Sequence, residues 1–214
     1  MVYRRSRLME ERLADNRERI VRAARHLVAR GGFREAQIAA VANEAGLSTG
    51  SIYRYFPSKA ELFVELLGEA AAHEIDILRS IAVGPGTASD RLFAAVESFT
   101  RRALDGRYLA YAFIAEPVDA EVDAARIRHR HAIAEVLKSI VRAGIETGEF
   151  PQQNLDASAA CLVGAFTEAL IGPTAPTAKA VSDRERLVEQ ICTFCFRAVA
   201  GRDNTPMRHL PTPA

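Results

Sequence analysis

The sequence predicts an all-α protein in two parts, a small basic helical module followed by a larger acidic one. Three observations carry this. Apolar residues recur at three- and four-residue spacing in most windows, and β-branched alternation is scarce. Residues 37–56 set two short helical patterns on either side of Gly46, as a helix-turn-helix is written. Charge divides unevenly: residues 1–60 hold 12 Lys+Arg against 6 Asp+Glu, and residues 61–214 hold 16 against 21. The net charge of +1 would not suggest a polyanionic partner, but this distribution does, at the N-terminal end. A hydrophobic content of 49% over 214 residues is enough for a sizeable core.

The elements follow in order. Ile20, Ala23, Ala24, Leu27 and Val28 give a first helix over about 10–30 its apolar face. Arg17, Arg22 and Arg25 lie off that face, and Gly31-Gly32 stop the helix. In the second and third helices, Ala42 is small where the two cross and Ile52 returns to the shared core. Gly46 supplies the positive φ of the turn, and Ser48 can cap the third helix. Pro57 ends that helix, and Ser58-Lys59-Ala60-Glu61 reads as a capping box for a fourth, running to about Ile81.

Gly84-Pro85-Gly86-Thr87 is the clearest break. Beyond it the spacing predicts a helix over Asp90–Leu104, a short one near Leu109–Ala115, and a long one from Asp119, its cap, to about Thr147. A small-residue helix over Asn154–Ile171 is closed by Gly172-Pro173. A last helix opens at a second capping box, Ser182-Asp183-Arg184-Glu185, and reaches about Ala200. The parts are therefore 10–57, a linking fourth helix at 58–82, and 83–201, with 1–9 and 202–214 read as disordered.

Several classes are excluded. No apolar run approaches the roughly 20 residues that span a bilayer, and Arg4, Arg5 and Arg7 are followed by charge rather than a signal-peptide core. A cytoplasmic protein with no membrane partner is expected. Three cysteines do not make a disulfide framework, and Cys192 and Cys195 sit in a helical pattern, so packing is their reading. There is no P-loop, Rossmann glycine fingerprint, H-E-x-x-H or nucleophile elbow, so neither an enzyme nor a cofactor or metal is expected.

Gly32-Phe33, Ile38, Ala42, Ala45-Gly46-Leu47-Ser48, Gly50 through Phe56, Ser58-Lys59 and Glu61-Leu62 together resemble the DNA-binding domain of TetR-type (TetR/AcrR) transcription regulators. The resemblance is ungapped over roughly residues 16–64. It implies an N-terminal three-helix DNA-binding domain, a larger C-terminal helical ligand-binding and dimerisation domain, a homodimer, and a palindromic double-stranded DNA operator. One position departs: the family's threonine, which caps the second helix and touches phosphate, is Ala36 here, so Gln37 would supply the phosphate contact and Glu35 or Arg34 would help the helix start.

On this reading Thr49, Gly50 and Ser51 form a small first turn that enters the major groove, with hydroxyls and a methyl for base edges. Tyr53, Tyr55 and Lys59 clamp phosphates, Ser48 and Gln37 add phosphate bonds from helix ends, and Arg54 reaches a base or a phosphate. Tyr53 can alternatively pack beside Ile52 and Phe56. A symmetric dimer would set two such helices about 34–36 Å apart.

The C-terminal part is less explicit. Arg126 and His129 share the inward face of the long helix. A buried arginine needs an acceptor: Glu116, Glu168 or a ligand carboxylate. His129 reads as a satisfied core histidine. Phe93, Val96, Phe99, Tyr108, Tyr111, Phe113, Phe166 and Leu170 would line a cavity for a mostly apolar small-molecule effector, and equally suit a helical core. Ala157, Cys161, Gly164 and Ala165 permit close helix approach, and Leu187, Ile191 and Phe194 add apolar area, for a four-helix dimer surface. The other reading is a helical protein-interaction module that has lost specific DNA binding. Ala36 favours it, and the intact 48–59 edge opposes it.

Overall fold

The computed structural model describes residues 7–179 and 181–201. Among these, nine helices and no strand occur: α1 (Arg7–Gly31), α2 (Ile38–Ala45), α3 (Thr49–Tyr55), α4 (Lys59–Ala82), α5 (Ala88–Asp105), α6 (Arg107–Ile114), α7 (Ala120–Glu146), α8 (Leu155–Thr174) and α9 (Arg184–Ala200). Residues 7–9, read as disordered, form the first turn of α1 instead. Residues 1–6 and 202–214 lie outside the described residues. As expected, α1 stops where Gly32 takes φ +82°.

Helix ends account for most differences from the sequence reading. Ser58 caps α4 by accepting the Glu61 N–H, which is the serine half of the expected box. A complete box closes at α5 instead: Thr87 Oγ1 accepts from Asp90 N–H at 3.1 Å, and the Asp90 carboxylate accepts from Thr87 N–H at 3.0 Å. At α9 the cap is Asp183 rather than Ser182, and Glu185 pairs with Arg101 instead of reaching back. Asp119 occupies the cap position of α7, but its side chain takes no cap bond. Gly172-Pro173 does not close α8, which runs through both to Thr174. Pro173 withholds a donor from the carbonyl of Ala169, which is an exposed residue, and Thr174 Oγ1 donates back to the Leu170 carbonyl at 2.7 Å.

Two buried clusters organise the chain. The body core includes Leu92, Val96, Leu137, Ile140, Leu162, Phe166 and Cys192. The head core includes Ile20, Ala24, Val28, Ile52, Phe56, Leu62 and Leu66, and it also takes in Ala112 from α6 and Val122 from α7. Head and body thus share packing through α4, α6 and α7. In α7, Gly144 lies beneath the Phe150 ring, where a Cβ would stand only 2.2 Å from a ring carbon.

The 20 residues of α8 are long and apolar enough, by length and composition, to cross a membrane, and only a third of them are buried. The sequence reading found no such run, because Asp156 and Glu168 interrupt it. In the fold this helix lies against α5, α6, α7 and α9.

The α7–α8 connection caps α5. Both carboxylate oxygens of Glu149 accept backbone N–H bonds at 2.9 Å, from Ala88 and Ser89, and Thr147 Oγ1 lies 3.0 Å from one of them. These bonds hold the carboxyl down at about pKa 2, against 4.5 for a free glutamate. Because the folded value is depressed, this stabilisation is fully present above pH 4.5 and disappears as pH falls toward 2. Thermal unfolding followed between pH 5 and pH 2 should show a steeper acid loss in the native chain than in Glu149→Gln. Identical slopes would rule out this carboxylate as a source of acid sensitivity.

Candidate nucleic-acid interface and effector cavity

The turn between α2 and α3 forms as its residues require. Gly46 sits at φ 63°, ψ 39°, and the Leu47 N–H donates back to Ala42 at 2.9 Å. Arg19 closes the end of α2 by donating to the Ala45 carbonyl at 2.6 Å. Ala42 and Ile52 are buried where the helices meet. Ser48 Oγ accepts the Ser51 N–H at 3.1 Å and lies 2.8 Å from the Ser51 hydroxyl, so these two candidate contacts engage each other.

Thr49, Gly50, Tyr53 and Arg54 make the exposed face of α3. Tyr53 is 52% exposed, so it is not the core aromatic of the alternative reading. At Gly50 an added Cβ would meet only Ser48 Oγ, at 3.9 Å. Internal packing does not require glycine there, and glycine inside a helix costs about 0.5–1 kcal/mol relative to alanine.

The flanking residues are more tied down. The Tyr55 hydroxyl accepts from Asn16 at 3.0 Å, and its ring is half-buried against the head core. Lys59 Nζ donates to Gln37 Oε1 at 3.1 Å and lies over the Phe63 ring. Burial lowers the Lys59 pKa, while Asp119 and Glu116 act to raise it. Gln37 is the extended N-cap residue of α2 but makes no side-chain cap bond; its amide donates to the Arg34 carbonyl at 2.8 Å. Ala36 is fully buried, leaving the start of α2 without a side-chain cap. The preceding turn is instead held from the body, where Glu116 accepts the backbone N–H groups of Phe33 at 2.9 Å and Arg34 at 3.3 Å.

A cavity of about 230 Å³ opens between α1, α4, α5 and α6. Its walls are largely apolar, with Phe99, Ala103, Leu109, Ala110 and Phe113 among them, and Arg25, His73, Glu74 and Arg102 are its polar members. Of the ten residues singled out for a ligand, Phe99 and Phe113 line this cavity, and Leu170 lies in the body core. Phe166 is buried behind Phe99, ring to ring at 4.7 Å. Val96 lies in the body core, and Phe93 is exposed beside Glu97 and Arg101. Tyr108 stacks under Arg107, and Tyr111 is half-buried away from the cavity wall.

Arg126 is 7% exposed, but Nη2 donates to the backbone carbonyls of Ala112 and Glu116, not to a side-chain carboxylate or into the cavity. His129 is half-buried, its Nδ1 has no partner among the described residues, and burial together with Arg128 lowers its pKa. Sequence reasoning found Phe99 and Phe113 but missed Arg25, Arg102, Leu109 and Ala110. The four-residue spacing of Leu109 and Phe113 in a short helix was the available signal.

The residues expected at a dimer surface divide. Ala157, Cys161, Gly164 and Phe194 are exposed, Phe194 at 63%. Ala165 and Leu187 are half-buried, and Ile191 belongs to the body core. Burial pushes the Cys192 and Cys195 thiols up to about 12 and about 11, which keeps both protonated and inert.

A helix-turn-helix head with an exposed, glycine-bearing recognition helix, set on an all-α body with a cavity, defines a ligand-responsive DNA-binding regulator rather than an enzyme. Residues 20–66 match the bacterial regulatory proteins of the tetR family, and residues 90–191 match the tetracyclin repressor-like C-terminal domain. The chain belongs to the TetR family of transcription regulators. It is 30% identical over 145 residues to the HTH-type transcriptional repressor KstR of Mycolicibacterium smegmatis, covering 67% of this chain and 70% of the relative. The match to KstR of Mycobacterium tuberculosis is 41% but spans only 63 residues, 29% of either chain. The fold is similar to that of FadR from Bacillus subtilis, solved with stearoyl-CoA, at TM-score 0.73 and 19% identity over 85% of this chain and 98% of that one.

Proposed function

We propose that this chain is a cytoplasmic repressor that binds a palindromic operator as a homodimer and is released by a compact, mostly apolar molecule in the α1–α4–α5–α6 cavity. One observation carries the release step. The α6 helix lines the cavity through Leu109, Ala110 and Phe113, and Glu116, just past its end, holds the head by two backbone bonds. A ligand that moves α6 therefore acts on the pose of the head, provided it binds the two poses unequally. The B. subtilis FadR ligand is a long acyl thioester. The cavity here lies below the ~300–1,000 Å³ usual for sites of drug-sized ligands, which favours a smaller effector.

For DNA, Thr49, Gly50, Ser51 and Arg54 would face the major groove, with Tyr53, Ser48, Gln37 and Lys59 on phosphates. Tyr55 would turn from Asn16 to reach a phosphate. The uncovered small residues of α8 and the exposed Phe194 of α9 support a two-fold helical interface. Gel shift against the DNA flanking the chain's own gene tests the regulator. Specific retardation is expected, and no binding even at low salt would favour the interaction-module reading instead. Ala110→Phe, which fills the cavity, should keep operator binding and abolish release by an effector; undiminished release would place the effector elsewhere.

A further inference from the structure

We infer that the effector of this cavity carries a carboxylate, recognised by Arg25 of the head's own first helix. The inference rests on the proposed effector cavity and adds the ligand's chemistry to it.

Of the two arginines lining the cavity, Arg102 is saturated. Nε donates to Glu74 at 3.1 Å, Nη2 donates to the other Glu74 oxygen, and Nη1 donates to Ser98. This two-point pair cancels the one acidic charge in the lining. Arg25 differs. Its Nη2 donates to Glu69 at 3.0 Å, between two half-exposed side chains. Its Nε is buried with no partner among the described residues. A buried guanidinium N–H without an acceptor is costly, so an arginine held this way beside a largely apolar space is matched by an acceptor entering that space. A carboxylate meets the need best, because a guanidinium recognises it through charge and directed N–H bonds together.

Size and shape set the rest of the molecule. The 230 Å³ has room for about eight waters. Phe99 and Phe113 present aromatic surface to it, and Ala103 and Ala110 are small members of its wall. The best match is an aromatic or alicyclic acid of two fused rings. Because Arg25 belongs to α1 while Phe99 belongs to α5, such an acid would touch head and body at once.

Two probes with the same rings test this, 2-naphthoate and 2-naphthylmethanol, titrated into the full chain. The chain has no tryptophan, so naphthalene fluorescence is read directly. The acid is expected to bind about ten-fold tighter than the alcohol, the scale of one charge-assisted hydrogen bond. In Arg25→Met the ratio should fall to near one with the alcohol's affinity retained. Glu69→Gln, which leaves Nε in place, should keep the preference. A ratio near one in the native chain, or an unchanged ratio in Arg25→Met, overturns the inference. Ala110→Phe separates the two readings. If it displaces both probes while the native chain binds them equally, the cavity stands and the carboxylate falls. If it displaces neither, the cavity falls and the inference with it.

Discussion

Replacing Arg126 by methionine is expected to destabilise the protein by about 3 kcal/mol. The side chain is nearly fully buried and its guanidinium donates to the carbonyls of Ala112 and Glu116 at the end of α6. Arg130 adds a third bond there, to Ile114 at 2.9 Å. Burial lowers the Arg126 pKa and Asp123, 3.9 Å away, raises it. Methionine would fill most of the volume but leave the Ala112 and Glu116 carbonyls without their donor, inside packed structure. A chain of this length loses roughly 2–4 °C in Tm for each kcal/mol. Chemical denaturation should show the loss, and a change below about 1 kcal/mol would mean that water replaces the guanidinium.

The second large effect is expected at Glu116. Its carboxylate holds the Phe33 and Arg34 N–H groups, and it comes so close to Gly32 that an added Cβ there would stand 2.6 Å from it. Glu116→Ala strands both donors, a local cost of about 2 kcal/mol, or roughly thirty-fold in an opening equilibrium. Native-state hydrogen exchange reads this directly. Protection at Phe33 and Arg34 should fall by about that factor, with Leu137 and Ile140 in the body core unchanged. Glu116→Gln should fall between, since an amide oxygen still accepts without the charge. Equal loss in head and body would show a general destabilisation, and unchanged Phe33 protection would show that Glu116 does not hold the turn.

The helix-turn-helix was legible because its determinants are local. A glycine at the turn, a serine at the cap and an apolar residue four positions on act within one stretch of chain, and each sits as read. The buried Arg126 was legible as a need, since its spacing put it inward, but not as a bond. Its acceptors are backbone carbonyls, which every residue carries and no side chain announces. The cavity was legible only through Phe99 and Phe113, for a related reason. It is a gap between four helices, and Arg25 reads from sequence as one more solvated arginine off the apolar face of α1. Pro173 misled in the ordinary way: proline argues against a helix, but here the carbonyl that loses its donor is that of Ala169, an exposed residue.

Ala112 and Val122 are completely buried in the head core although they belong to α6 and α7. Anyone grafting this DNA-reading unit onto a foreign sensor, or a foreign reader onto this sensor, cuts through a hydrophobic seam rather than a linker. A chimera joined after residue 82 would inherit two vacant sockets in its reader unless the recipient supplies residues of matching size at the same places. Compatible exchanges are therefore set by the shape of that seam, and a screen for working hybrids should vary those two positions first.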